Sequence, residues 1–255
     1  MILLFGGTSD SLMIMERLCE LKEKVALSVA TDYGKIFSKA YAPYVIQKRM
    51  DQAEMETYMR ENQVDLVIDA SHPFAEIVSQ NAMLAAQKLK ISYLRYERAR
   101  TVLPDYVEKV ESIEMACRRA LTYLEQDETI YLTTGSKTLQ EYLNYVPSNR
   151  LVVRVLPTAE VLQKCEDLEL EAQQIHAIKG PFSQELNEAL YQKANAKVMI
   201  TKESGLSGGT DVKIAAAHAM QMHILMIERP TIKYPLMFES IDGLMDYLVN
   251  ERKRD

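Results

Sequence analysis

Residues 1–10, Met-Ile-Leu-Leu-Phe-Gly-Gly-Thr-Ser-Asp, carry the reading of the fold. Met1 to Phe5 is a continuous apolar run that stops at Gly6-Gly7, and Leu12, Met15, Leu18, Cys19 and Leu21 then recur at helical spacing. Strand, tight turn and helix in that order open an α/β fold.

The same alternation runs outward from this stretch. Val25 to Val29 reads as a strand, Asp51 to Asn62 as a helix, Val64 to Ala70 as a strand, Phe74 to Lys88 as a helix and Ile91 to Leu94 as a strand. The strands are apolar along their length, as strands covered on both faces are, and helices between them make the sheet parallel. The rhythm repeats through Tyr106 to Val110, a helix to Leu124, Thr129 to Thr133, a helix after Ser136, Leu151 to Val155 and a helix to Cys165. It continues through Gln174 to Ile178, a helix from Ser183, Val198 to Thr201, a helix near Asp211 to Met220, His223 to Ile227 and a last helix from about Ile241 to Glu251. So many strands are too many for one sheet. The sequence therefore predicts two Rossmann-like lobes with mainly parallel sheets, residues 1–98 and 99–255, with the boundary near Leu94 to Asp105 and a ligand cleft between them.

Composition narrows the function classes. The 255 residues hold 30 Lys and Arg against 36 Asp and Glu, a formal net charge of -6, with 47% hydrophobic and 26% charged residues. This is the balance of a globular protein. A chain of this length buries roughly 70 to 75% of its unfolded surface and needs no metal or disulfide to hold a core. Cys19, Cys117 and Cys165 are isolated, and no HxH or HExxH spacing offers a metal site, so no metal is expected. The N-terminal residues lack a basic segment and their apolar run ends at Phe5, which predicts a cytoplasmic protein with no membrane part. An acidic balance, no Trp and no run of Lys and Arg argue against a nucleic-acid partner, since gripping phosphates takes a basic face. An acidic small ligand must instead find a local cationic patch. Oligomeric state is not legible at this level. Met13, Met15, Met50, Met55, Met59, Met199, Met220, Met222 and Met226 fall at core-like spacings and read as gap fillers.

In parallel α/β sheets ligands sit beyond the carboxyl ends of the strands, so the loops there hold the candidates. Gly6-Gly7-Thr8-Ser9 allows close backbone approach and offers hydroxyls and helix amides to an anion, or else Thr8 or Ser9 merely caps the helix. Asp69-Ala70-Ser71-His72-Pro73 puts Pro73 at a first helical position with Ser71 or His72 as cap. A His there can donate to a carboxylate or act as a general acid. His176, His218 and His223 lie in periodic segments and read as packing or surface residues. Thr134-Gly135-Ser136-Lys137 resembles half of a Walker A loop, but Ile130 stands where the leading glycine belongs, so nucleotide hydrolysis is not expected and a helix N-terminus suited to a diphosphate or carboxylate is. Arg154-Val155-Leu156-Pro157 and Lys179-Gly180-Pro181 each set a cation beside a rigid turn. Thr201-Lys202-Glu203-Ser204-Gly205, with Gly208-Gly209 following and Lys213 opening the next helix, can expose several amides to one ligand. Glu228-Arg229-Pro230 closes the last strand.

In order, Gly6-Gly7-Thr8-Ser9-Asp10, Asp69 to Ala75, Tyr96-Glu97-Arg98, Thr133 to Lys137, Arg154 to Pro157, Lys179 to Ser183 and Thr201 to Gly205 with Gly208-Gly209 resemble the precorrin-6A reductase family of cobalamin biosynthesis across nearly the whole chain. Asp10 stands where family members tend to carry Glu, and Glu97-Arg98-Ala99-Arg100 lacks the Pro and the aromatic residue usual there. The resemblance implies a two-lobed reductase that takes a hydride from NADPH or NADH to one carbon-carbon double bond of precorrin-6A, or of its cobalt form, giving the 6B product.

A tetrapyrrole precursor carries many acetate and propionate carboxylates. A net-acidic enzyme must gather cations to bind it, and Ser71, Arg98, Arg154, Lys179, Lys202 and Lys213 are the candidate substrate contacts, with Lys137 and Arg229 further cations. His72 is the candidate proton donor, with solvent or a Lys as competitor. The nucleotide is expected on Gly6, Gly7, Thr8 and Ser9, on Gly135, Ser136 and Lys137, or on Ser204, Gly205, Gly208 and Gly209. Asp32 would favour a ribose hydroxyl and Lys35 a 2'-phosphate. The rival readings are a two-lobed cytoplasmic binding protein for an acidic small molecule without redox chemistry, and a phosphate-handling transferase.

Overall fold

The computed structural model describes residues 1–30, 39–100, 102–203 and 209–252, and each apolar run named above forms a strand. Ile2–Phe5 (β1), Ser9–Glu20 (α1), Val25–Val29 (β2), Val45–Gln47 (β3), Gln52–Glu61 (α2), Leu66–Asp69 (β4), Glu76–Leu89 (α3) and Ser92–Tyr96 (β5) come first. Val107–Val110 (β6), Ile113–Leu121 (α4), Thr129–Leu132 (β7), Leu139–Leu143 (α5), Leu151–Val155 (β8), Ala159–Asp167 (α6) and Ile175–Ala177 (β9) follow. Gln184–Lys193 (α7), Ala196–Lys202 (β10), Thr210–Ala219 (α8) and His223–Ile227 (β11) precede Met237–Phe238 (β12) and Ile241–Arg252 (α9).

The strands make two six-stranded sheets, ordered β12-β5-β4-β1-β2-β3 and β6-β11-β10-β7-β8-β9, and every neighbouring pair is parallel. The chain divides into two compact units, Met1–Ala99 with Pro230–Asp255, and Arg100–Arg229.

In the first unit alternate residues of β1 bury on opposite faces, as the two-residue period of a strand requires. Ile2 and Leu4 join Ile14, Met15 and Leu18 of α1 and Leu244, Met245 and Leu248 of α9. Leu3 and Phe5 join Met55 and Met59 of α2 and Ala82, Ala85 and Ala86 of α3. Each such large side chain contributes roughly 1.5–3 kcal/mol by leaving water. In the second unit Tyr131, Met199 and Met226 pack with Tyr191 of α7 and Ile214 and Ala217 of α8.

Four expectations need correction. A second lobe covering all of 99–255 does not hold, because Pro230–Asp255 belongs to the first unit. There β12 pairs with β5, Met237 against Arg95, and α9 buries Leu244 and Leu248 on the face that α1 covers. The helix after His72 starts at Glu76 behind Ala75, with no side-chain cap, so neither Ser71 nor His72 caps it and Pro73 is not its first residue. A turn intervenes, closed by the Ala75 amide on the His72 carbonyl at 2.7 Å. The helix after Ser136 is only Leu139–Leu143, begins behind Thr138, and is too short to sum a useful dipole at Gly135 to Lys137. Among the methionines read as core, Met13 is 54% exposed.

Candidate functional site

Strand order reverses at the centre of each sheet, between β1 and β4 in the first and between β7 and β10 in the second. A ligand fits best beyond the carboxyl ends at such switch points, where the two neighbouring loops part to opposite faces of the sheet. The loops there are Gly6–Thr8 and Ala70–His72 in the first unit, and Thr133–Lys137 and the residues after Lys202 in the second.

In the first unit Thr8 caps α1 by accepting from the Ser11 amide at 3.1 Å, while Ser11 Oγ accepts from the amides of Gly7 and Thr8, both at 3.1 Å. Ser9 is thus the first helical residue and not the cap. A Cβ on Gly6 would lie 2.6 Å from Leu27 Cδ1 and 2.9 Å from Ser11 Oγ, whereas Gly7, at φ +107°, has open space where its Cβ would be. Gly6 therefore serves packing, and Gly7 serves a left-handed turn that exposes backbone. Thr8 Oγ1 also donates to the Ala70 carbonyl at 3.2 Å and ties the two loops of the switch point together. Arg98 Nε meets Asp10 Oδ2 at 2.8 Å, joining the end of β5 to the first turn of α1.

Behind the Ser71–His72 turn lies a buried polar network. Asp69 and Arg95 are both fully buried, and Arg95 Nη1 meets Asp69 Oδ1 at 2.9 Å. Asp69 Oδ1 also accepts from the Ser71 amide at 2.9 Å, and Oδ2 accepts from Ser79 Oγ at 2.5 Å and Tyr93 OH at 2.7 Å. Arg95 donates to Ser71 Oγ at 3.2 Å, pairs through Nη2 with Glu97 at 2.9 Å, and has the Tyr234 ring 5.1 Å from its guanidinium carbon. Burial beside the Asp69 carboxylate pushes the Tyr93 phenol far above its ordinary pKa, so it stays a donor. Fully paired, such a network holds its members in one arrangement. His72 itself is exposed, and its Nδ1 accepts from the Phe74 amide at 3.2 Å.

In the second unit Lys202, at the end of β10, donates to Thr138 Oγ1 at 3.4 Å and so approaches the loop after β7. Burial pulls its ammonium below the ordinary lysine pKa, against the carboxylate of Glu141 and together with nearby Lys137. Arg154 Nη1 donates to Asn187 Oδ1 at 2.6 Å, and its guanidinium lies 4.2 Å from the centre of the Phe182 ring. Lys213, 5% exposed, is pushed down to about 7 by burial and then by Arg154, with Asp211 opposing. His176 is buried, holds Tyr131 OH at 2.8 Å through Nδ1, and is lowered by burial, Lys193 and Arg154.

The whole of residues 1–249 matches the family model described as precorrin-6x reductase CbiJ/CobK. The chain belongs to that family. A cobalt-precorrin-6A reductase of Priestia megaterium is 38% identical, covering 99% of this chain and 100% of its own length. The cobalt-precorrin-6A reductase of Methanocaldococcus jannaschii is 35% identical, covering 98% of each. Among solved structures, one described as CobK precorrin-6A reductase superposes with a TM-score of 0.76 over 98% of this chain and 96% of its own, at 19% identity, which supports the fold.

Precorrin-6x reductases are oxidoreductases, and the residues singled out above fall into four groups in this member. The loop of Gly6 to Ser9 is tied through Thr8 and Ala70 to the loop of Ser71 and His72 at the first switch point, and the loop of Gly135 to Lys137 is approached at Thr138 by Lys202 at the second. Arg154, at the end of β8, lies near Lys213 in the first turn of α8, while Lys179 stands exposed after β9. Gly209 caps α8 at φ +62°, and Ser204, Gly205 and Gly208, like Asp32 and Lys35, lie outside the described residues. Arg229 is only 3% exposed and donates to the Glu203 carbonyl at 3.1 Å, so it is part of the interior and no free ligand contact. His218 and His223 stack on Tyr106 and Tyr123 at 3.8 and 3.7 Å. Arg95, Asn187 and Tyr234 stand outside every motif of the sequence. An arginine inside Ser-Tyr-Leu-Arg-Tyr was the available signal, since a charge in a strand covered on both faces must find a partner. Among the described residues no group of three or more His, Cys, Asp or Glu is arranged to hold a metal, and no helix is long and apolar enough to cross a membrane.

Proposed function

We propose that this chain reduces cobalt-precorrin-6A to cobalt-precorrin-6B, adding a hydride from NADPH or NADH to one carbon of a carbon-carbon double bond and a proton to its neighbour. The observation that carries the reading is similarity over full length, at 38% and 35% identity, to two proteins named for that reaction. Nothing observed favours a binding protein without redox chemistry or a phosphate-handling transferase. The three free cysteines suit a reducing cytoplasm.

The proposed seat for the nucleotide diphosphate is the Gly6-Gly7-Thr8-Ser9 turn. The open space above Gly7 admits a ligand to bare backbone, and α1 is twelve residues long, so its N-terminus favours an anion. Arg98 neutralises Asp10 at that helix start, which would otherwise repel one. The nucleotide, once bound, supplies the hydride, and the protein supplies position and field. Gly135, Ser136 and Lys137, and Ser204 with Gly205, Gly208 and Gly209, are the alternative contacts.

His72 is the proposed catalytic residue of the first unit, and its hydrogen bond refines the role. A ring whose Nδ1 accepts from the Phe74 amide carries a proton on Nε2. His72 then acts as an Nε2–H donor to the reacting π-system or a substrate carboxylate, with solvent as proton source. Ser71, held by Asp69 and Arg95, is its neighbour on the substrate. Arg98, Lys179, Lys202 and the Arg154–Lys213 pair are the proposed carboxylate contacts.

The test is an anaerobic assay at the reduced-nicotinamide band, with cobalt-precorrin-6A or its metal-free form and either nucleotide. Oxidation of one nucleotide per double bond lost establishes the reaction and the cofactor together. No oxidation in any combination by folded protein would refute it.

A further inference from the structure

We infer that Arg154 and Lys213 form a subsite for one oxyanion group, a substrate carboxylate or a nucleotide phosphate, and that filling it loads a proton onto the protein. The inference deepens the reading above and rests on it for the identity of the ligand.

Three elements converge on the pair. Arg154 lies on β8, Lys213 in the first turn of α8, and Asn187 and Tyr191 on α7. Asn187 Oδ1 takes a bond from Arg154 Nη1 at 2.6 Å and one from Tyr191 OH at 3.4 Å, and Tyr191 OH lies 3.3 Å from the Lys213 carbonyl. Asn187 is 1% exposed and Tyr191 fully buried, so the framework that holds the two cations is rigid interior.

What the framework lacks is a counter-charge. Neither Arg154 nor Lys213 forms an ion pair among the described residues. Residues 204–208, which lead into α8, read Ser-Gly-Leu-Ser-Gly and carry no carboxylate. The charged and titratable groups that face the pair are Asp211, exposed on the same helix, His176 on β9, opposite Arg154 in register and itself lowered by burial and by positive neighbours, and the phenols of Tyr131 on β7 and Tyr191 on α7, both raised by burial and so neutral. Lys213, buried, and Arg154, half-buried beside it, repel each other and cost desolvation energy, and a buried charge is ordinarily paired.

The lysine yields, since a guanidinium stays charged. It is pushed down to about 7, so above that pH the empty subsite holds Arg154 charged and Lys213 neutral. An oxyanion between them reverses the balance and returns the ammonium to its charged form. Above pH 7 ligand uptake therefore brings a proton with it, and affinity falls by up to tenfold per pH unit.

The experiment titrates the full-length protein with sulfate at pH 8 and constant ionic strength, in buffers of different ionisation enthalpy. Sulfate does not itself titrate there. Wild type is expected to take up close to one proton per sulfate bound. Lys213→Met is expected to bind about 10- to 100-fold more weakly, with no proton uptake. Lys213→Arg keeps a fixed charge and should bind without proton uptake, which separates the linkage from any loss of folding. Sulfate binding that takes up no proton in wild type, or that is unchanged in Lys213→Met, overturns the inference. Repeating the titration with cobalt-precorrin-6A and with NADPH identifies the source, because the native ligand is the one whose binding carries the proton lost in Lys213→Met. Absent turnover in the reductase assay, with sulfate linkage intact, would instead refute the proposed function and leave the subsite standing.

Discussion

Replacing Lys213 by Met should stabilise the protein while removing a ligand contact, and the size of the gain should depend on pH in a calculable way. The folded chain holds Lys213 at about 7, against an ordinary value of 10.5. Between those values the unfolded chain binds one more proton than the folded one, so the lysine's burden is fullest below pH 7 and lifts as pH rises toward 10.5. Integrated from pH 7 to pH 9, wild type gains about 2 kcal/mol that the methionine variant, having no proton to bind, does not. For a chain of this size that corresponds to roughly 4–8 °C in Tm. Thermal and urea unfolding of both proteins at pH 7, 8 and 9, in buffers free of sulfate and phosphate, measures the wild-type minus variant difference. Every other titrating group is common to both and cancels. The variant should be the more stable at pH 7, and its advantage should shrink by that amount at pH 9. A difference that stays flat across the range would mean that the ammonium is not desolvated and that the reasoning about Arg154 and Lys213 is wrong.

Three further outcomes bear on the first unit. Arg95→Met strands Asp69, fully buried, and Glu97, 13% exposed, without their cation, and should cost roughly 3–5 kcal/mol in chemical denaturation; an unchanged midpoint would show that the network is not holding the strand ends. Gly6→Ala places a methyl 2.6 Å from Leu27 Cδ1 and should lower stability by about 1–3 kcal/mol, whereas a variant as stable as wild type would mean that α1 shifts freely on the sheet. His72→Ala should lower kcat/KM by about 10- to 100-fold, and His72→Gln, which keeps an N–H donor, should recover part of the loss. Equal losses in the two variants would remove the donor role assigned to Nε2.

How far the fold was legible follows from which signals are local. The run Ile2 to Phe5 and the helical spacing of Met15 and Leu18 are short-range patterns, and the structure buries all of these residues. β12 has two residues and no period to detect, so the return of the chain to the first sheet was invisible, although Leu244 and Leu248 carried the apolar face of α9. Partnerships behave differently, because a parallel sheet pairs residues far apart in sequence. Asp69 and Arg95 stand 26 positions apart, and what joins them is the register that sets Asp69 beside Arg95 on adjacent strands. Arg154 and Lys213 meet only because α7 and α8 pack on the same sheet as β8, and no spacing rule contains that fact. Charge type told against position in the same way. Arg229 and Arg154 both follow apolar strand residues and read alike as cations at strand ends, yet Arg229 is bound to Glu203 in the interior while Arg154 has two neutral partners, the amide of Asn187 and the Phe182 ring. The sequence thus locates the loops where chemistry is possible, and the pairing of buried charges decides which of their cations have a charge left to offer a ligand.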